Sequence, residues 1–336
     1  MIVESEANEG IQMPTLSVRL FGKFNVCRDR EPVQTLDVHK IQEFFSYLLV
    51  FRARPHQREA LAGLFWGESD TSQSRKNLRQ VLWQLQSALS LEVGAQDPPL
   101  LLVEPEWVQV NPLGDLWLDV DEFEKIAAQA LGTCGSHLES EQVDRLRLAV
   151  NLYTGDLLEG WYQDWCLFER ERLQNMYLVM LDKLIDHCEL TGDCDSGLDY
   201  GARILRYDRA RERTHYQLMR LHCMDGNRTD ALRQYERCVM ALKEELNVVP
   251  CQEVTDLYLQ IKAGLAGRPV ALRPAPAHPR NGQPETRQDV LSGQDVSHLD
   301  SAYDLIAYLT RLQGELAVAS RLIQEEILTL QHSSGH

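Results

Sequence analysis

Leu78, Val81, Leu82, Leu85 and Leu89 recur three and four residues apart, which predicts a helix over 72–89 with one narrow apolar stripe turned to a core. Ser72 or a neighbour is the expected N-terminal cap. Two helices are predicted ahead of it, at 38–51 and 57–66, the second ending at Gly67, where a left-handed residue is wanted. Leu16, Val18 and Leu20 alternate with polar residues until Gly22 interrupts, a short-strand pattern. Beyond Pro98 and Pro99, the apolar runs 100–103 and 107–110 flank Glu104-Pro105-Glu106 and predict a hairpin. Strands, three helices and a terminal hairpin are the order of a winged helix-turn-helix.

From 121 onward the pattern is helical throughout, with helices predicted at 143–153, 165–190, 196–207, 212–225, 229–246 and 252–263. Gly192-Asp-Cys-Asp-Ser-Gly-Leu198 returns as Gly226-Asn-Arg-Thr-Asp-Ala-Leu232, an offset of 34 residues, the tetratricopeptide period. The fold class expected is therefore mostly α. A winged helix-turn-helix at 15–120 precedes a tetratricopeptide-like helical domain at 121–266, and residues 1–14 form a disordered N-terminus. A Pro-rich linker follows at 267–298, with Pro269, Pro274, Pro276, Pro279 and Pro284 among polar residues. An amphipathic helix is expected at 299–331.

Charge changes the picture next. The 336 residues carry 34 Lys/Arg against 50 Asp/Glu, a formal net charge of −16. That is the wrong sign for coating a polyanion nonspecifically. Residues 15–91 hold 11 Lys/Arg and 7 Asp/Glu, a net of +4, so −20 lies elsewhere and any nucleic-acid binding is confined to this part. Glu4, Glu6 and Glu9 stand where a secretory signal would be basic, and no apolar run reaches bilayer length, so a cytoplasmic protein away from membranes is expected. The eight cysteines show no CxxC pair and suggest reduced, buried thiols.

Opposite the apolar stripe of the 72–89 helix lie Lys76, Arg79, Gln80, Trp83 and Ser87, with Arg75 at one margin and Asn77 and Gln84 at the other. Cations bind phosphates and guanine edges, amides pair with adenine edges, and a helix fits the major groove. A basic helix face taken alone is more often simply solvated; an exposed tryptophan weighs against that reading. Arg52, Arg54, His56 and Arg58 cluster where the first helix passes into the second. This is the place from which a helix-turn-helix holds the DNA backbone, and equally where a basic loop serves solubility.

Several separated segments carry a family resemblance: Arg58-Glu-Ala-Leu-Ala-Gly-Leu-Phe-Trp66, Arg75-Lys-Asn-Leu-Arg-Gln-Val-Leu82, Val108-Gln-Val-Asn-Pro112 and Trp117-Leu-Asp-Val-Asp-Glu-Phe-Glu124. Leu152-Tyr-Thr-Gly-Asp-Leu-Leu158, Trp165 with Glu169-Arg-Glu-Arg172, and Arg233-Gln-Tyr-Glu-Arg237 with Glu244-Glu-Leu-Asn247 continue it. Over about 15–264 the chain resembles the SARP-like proteins with a bacterial transcriptional activator domain (BTAD). The resemblance implies a sequence-specific activator that binds double-stranded promoter DNA at direct repeats and contacts RNA polymerase. Glu104 and Glu106 depart from a cationic wing, Gln84 and Gln86 stand where relatives often show Arg, and no GxxxxGK[ST] loop is present.

No enzyme is expected, and no cofactor or metal. GxSxG, HExxH and GxGxxG are absent, and His187, Cys188 and Cys194 have no metal-site spacing; a core Cys and a surface His are favoured there. Asp156, Glu159 and Asp164 are read as solvated or capping groups. In the last segment Leu309, Leu316, Ile323 and Leu330 belong to a three-four seam, interrupted by Gln313 and Ser320. It favours a homodimer slightly over folding back on the repeats. The rival to an activator is a non-catalytic adaptor that binds protein partners through its helical repeats.

Overall fold

The apolar alternation at the N-terminus becomes two antiparallel strands, β1 (Leu16–Arg19) and β2 (Asn25–Arg28), with Leu16 opposite Arg28 and Arg19 opposite Asn25. Between them Gly22 has φ +79°, a conformation glycine adopts without a Cβ clash. The computed structural model describes residues 16–264 apart from 30, 34, 35, 37, 91–97, 131 and 132. The expected N-terminus, linker and amphipathic helix, with Leu309, Leu316, Ile323 and Leu330, lie outside the described residues.

β3 (Glu31–Pro32) extends this sheet at one edge. Then follow α1 (His39–Val50), β4 (His56–Gln57), α2 (Arg58–Trp66), α3 (Thr71–Ser90) and the hairpin of β5 (Leu101–Val103) and β6 (Trp107–Val110). β7 (Leu116–Leu118) returns to lie parallel to β1, giving the order β3-β2-β1-β7, while β4 adds to the hairpin in the order β4-β6-β5. Neither β4 nor β7 is visible in the local pattern. Leu78, Val81, Leu82, Leu85 and Leu89 of α3 are all buried, beside Phe44, Phe45, Leu48 and Leu49 of α1 and Leu61 and Phe65 of α2. Each such side chain contributes about 1.5–3 kcal/mol by leaving water.

Gly67 corrects one expectation. Its φ of −61° is right-handed, so it does not serve as a left-handed terminator. A Cβ there would lie 2.6 Å from the Gly63 carbonyl oxygen, and that closeness is what favours glycine.

The second part is helical: α4 (Asp119–Ala130), a 3-10 turn (Gly135–His137), α5 (Ser140–Leu152), α6 (Asp164–Thr191), α7 (Cys194–Tyr207), α8 (Glu212–Met224), α9 (Arg228–Glu245) and α10 (Gln252–Lys262). α4 is an addition to the helices expected, and the boundary expected after residue 120 falls within its first turn. The 34-residue repeat is visible in the backbone. Gly192 and Gly226 have φ of +76° and +75°, and each begins the turn into α7 or α9. From α6 to α10 each helix packs on the next, as stacked repeats do.

The two parts are joined by more than a linker. The Gly22 N–H donates to the Asp156 carbonyl (2.9 Å), the Leu158 N–H to Leu20 (2.8 Å) and the Glu159 N–H to Gly22 (2.7 Å). The buried Asp119 carboxylate, at the start of α4, accepts from the backbone N–H groups of Leu20, Phe21 and Val120 at 2.8–3.0 Å. Phe21 packs on Phe123 and Tyr153, and Tyr153 stacks on Tyr177 at 4.2 Å. Arg170 holds the intervening loop, donating to the carbonyls of Leu157, Leu158 and Trp161. All described residues fall in one compact unit.

Candidate nucleic-acid interface

α3 is anchored at its start and free along its outer side. Asp70 caps it by accepting from the Ser72 N–H (3.2 Å), so a neighbour of Ser72 is the cap. The buried Ser74 hydroxyl donates to the Trp66 carbonyl at 2.8 Å, fastening α3 to the end of α2. With the leucine stripe buried, Arg75, Lys76, Arg79, Gln80 and Trp83 are exposed and Ser87 is half-buried. They occupy the side facing away from the core, as their spacing requires.

Between this helix and the hairpin turn runs an open groove of about 440 Å³, lined by Arg58, Glu59, Ser72, Arg75, Arg79 and Pro105. Arg58 ties the hairpin to α2: its N–H donates to the Glu106 carbonyl (2.9 Å) and its guanidinium to the Glu104 carbonyl (3.1 Å). Arg75 pairs with Glu59 at 2.8 Å, leaving one acid in a groove otherwise lined by cations and neutral groups. The pattern of α3 alone does not bring Glu59 to notice, because it is the second residue of α2, sixteen positions before Arg75. The carboxylates of Glu104 and Glu106 are exposed at the hairpin tip.

Arg52 is corrected. Its guanidinium bonds Asp121 and Glu124, each at 2.6 Å, and only a fifth of its side chain is exposed. Arg172 binds the other oxygen of Glu124. Arg52 therefore ties the end of α1 to α4. Arg54 remains exposed, over the ring of Phe51 (5.6 Å). His56 is buried and bonded through Nε2 to the Phe51 carbonyl at 3.0 Å; burial holds its imidazole below the ordinary 6.5.

Elsewhere, Cys188 is buried and its thiol pushed up to about 11 by burial, while His187 is half-buried. All eight cysteines are free thiols, and Cys134 and Cys251 are exposed, against the expectation of buried ones. Among the described residues no cluster of His, Cys, Asp or Glu is arranged to hold a metal, and no helix is long and apolar enough to cross a membrane. Asp156 accepts from the Tyr153 hydroxyl (2.9 Å), and Asp164 opens α6.

The architecture is that of a winged helix continuous with a tetratricopeptide-like helical array. Residues 118–262 match the bacterial transcriptional activator domain family, and the resemblance read from the sequence is borne out. The regulatory protein AfsR of Streptomyces coelicolor is 26% identical over 255 residues, covering 74% of this chain and 24% of AfsR. The chain thus spans about a quarter of the length of that relative. A structure of Mycobacterium tuberculosis EmbR in complex with a low-affinity phosphopeptide superimposes with a TM-score of 0.55 at 20% identity, covering 74% of this chain and 65% of EmbR, just under two thirds. That likeness concerns the fold, and it bears out the expected fold class.

Proposed function

We propose that this chain is a SARP-type transcriptional activator of the cytoplasm, which binds double-stranded promoter DNA through α3 and contacts RNA polymerase through its helical repeats. One observation carries the reading. The exposed side of α3 presents three cations, an amide and an aromatic side chain from an otherwise acidic protein. Arg79 and Gln80 have the donor geometry for base edges; Arg75, Lys76, Arg54 and Arg58 suit phosphates. Pairing of two copies through Leu309, Leu316, Ile323 and Leu330 belongs to the same proposal, since a tethered dimer places two winged helices on repeated half-sites.

The test is selection of bound fragments from a genomic DNA pool by the purified full chain. Arg79→Ala then weakens binding to the selected site by about 1–3 kcal/mol and relaxes preference at one base pair, whereas Lys76→Ala weakens all sequences alike. Unchanged affinity in both folded variants overturns the assignment. The adaptor reading draws on the exposed Glu104 and Glu106. It calls for no salt-dependent binding to any duplex.

A further inference from the structure

The chain has six tryptophans, all among the described residues, and five are half-buried. Trp66 packs on Phe44 and Phe65, Trp161 on Phe24 and His39, Trp165 on Tyr47 and Phe51, and Trp117 lies under Arg19. Trp83 is 68% exposed. Among the described residues no ring or cation packs on it. Its neighbours on the helix surface are Arg79 and Gln80, one turn before, and Ser87, one turn after. None is acidic, so the indole is the apolar member of a face complementary to a polyanion.

We infer that Trp83 reads the C5-methyl group of a thymine in the major groove. The inference rests on the proposed insertion of α3 into DNA. A phosphate would engage only the indole N–H and leave the apolar ring without a partner, and the bases of an intact duplex are stacked on one another, out of reach of its ring face. The major-groove edges of the base pairs display donors, acceptors and one exposed apolar group, the thymine methyl. Four residues of helix advance about 6 Å, which is at most two base-pair steps of about 3.4 Å, and fewer for a helix that follows the groove. Trp83 therefore meets a base one or two positions from the one Arg79 contacts on the proposed reading.

The experiment is a thymine-to-uracil scan of the duplex selected by the full chain, read by fluorescence anisotropy. Uracil keeps every hydrogen-bonding group of thymine and lacks only the methyl. At one thymine, one or two base pairs from the position where Arg79→Ala relaxes preference, uracil weakens the wild-type protein about fourfold, the effect of one apolar carbon group leaving a contact. Trp83→Ala, with unchanged circular dichroism and melting temperature, binds the thymine and uracil duplexes equally. Its affinity for other thymine positions still follows the wild-type profile. If the wild type tolerates uracil everywhere, or Trp83→Ala keeps the thymine preference, Trp83 does not read a methyl, while DNA binding by α3 still stands. If Trp83→Ala loses only cooperative occupancy of two sites, the indole lies between protein copies and the inference is overturned. A protein that binds no duplex removes the inference together with the function it rests on.

Discussion

Glu59 and His215 illustrate how much single side chains decide. The Glu59–Arg75 pair is open to water on both sides, so as a stabilising contact it contributes about 0–1 kcal/mol. Its larger effect is electrostatic, because a carboxylate in the groove beside Arg58 and Arg79 repels a phosphate and occupies Arg75. Glu59→Gln is expected to tighten nonspecific duplex binding and steepen the log–log salt dependence by about one unit, measurable by anisotropy across a salt series. An unchanged slope would place Arg75 away from the phosphates. His215, buried between α8 and α9, donates from Nε2 to the Arg209 carbonyl (2.9 Å), which leaves Nδ1 to accept from Gln234 (2.8 Å). The carbonyl of Gln234 is taken by Arg237 (2.9 Å), so a second ring proton would meet a donor. Burial, with Arg237 adding to it against the pull of Asp208, holds the imidazole below 6.5. The unfolded chain therefore binds this proton more readily than the folded one. Stability present above pH 6.5 is lost as pH falls below it, by at most about 1.4 kcal/mol per pH unit for one site. Chemical denaturation at pH 7.5 and 5.5 is expected to show the loss, and His215→Gln to reduce it; His56 and His222, lowered in the same direction, keep the rest.

Among the elements, α4 carries the clearest consequence. Burial pushes the Asp121 carboxyl up, but bonds and charge from Lys125 and Arg52 outweigh it and leave the group below its ordinary range. Arg52→Ala strands Asp121 and Glu124 in a partly buried site and is expected to cost about 1–3 kcal/mol in thermal or denaturant unfolding. The salt slope of DNA binding should stay at the wild-type value; a shallower slope would return Arg52 to the phosphates. The same helix marks where sequence reading stopped. α1, α2, α3 and the hairpin were legible because a stripe or an alternation is local information, and the 34-residue repeat because two glycine turns need the same positive φ. α4 has a helical stripe of its own in Val120, Phe123, Ala127 and Ala130, yet its first turn is dense with acids and was read only as a family motif. β7 is three residues long and pairs with β1 a hundred positions earlier, so no local pattern announces it. Nothing local to Arg52 announces its carboxylate partners, which lie 69 and 72 residues away. Within the candidate site, the outward set on α3 followed from spacing alone, whereas the Glu59 contact needed the packing of α2 on α3.

At the scale of the molecule, the β1–β2 turn bonds the 153–161 loop and Asp119 grips Leu20 and Phe21, so the winged helix and the repeats meet along a bonded seam within one compact unit. A body that keeps this seam has a fixed bearing. On the proposed reading, with α3 in a major groove, the repeats point to one side of the double helix, as a flag is fixed to the turn of its pole. Activation should therefore depend on rotational phase. Inserting about five base pairs between the bound site and the core promoter carries the repeats to the opposite side, and inserting about ten brings them back. In a purified transcription assay, five-base-pair insertions are expected to abolish stimulation and ten-base-pair insertions to restore much of it. A smooth decline with distance, indifferent to phase, would mean that the polymerase contact is made by a tethered part of the chain and not by the body that carries α3.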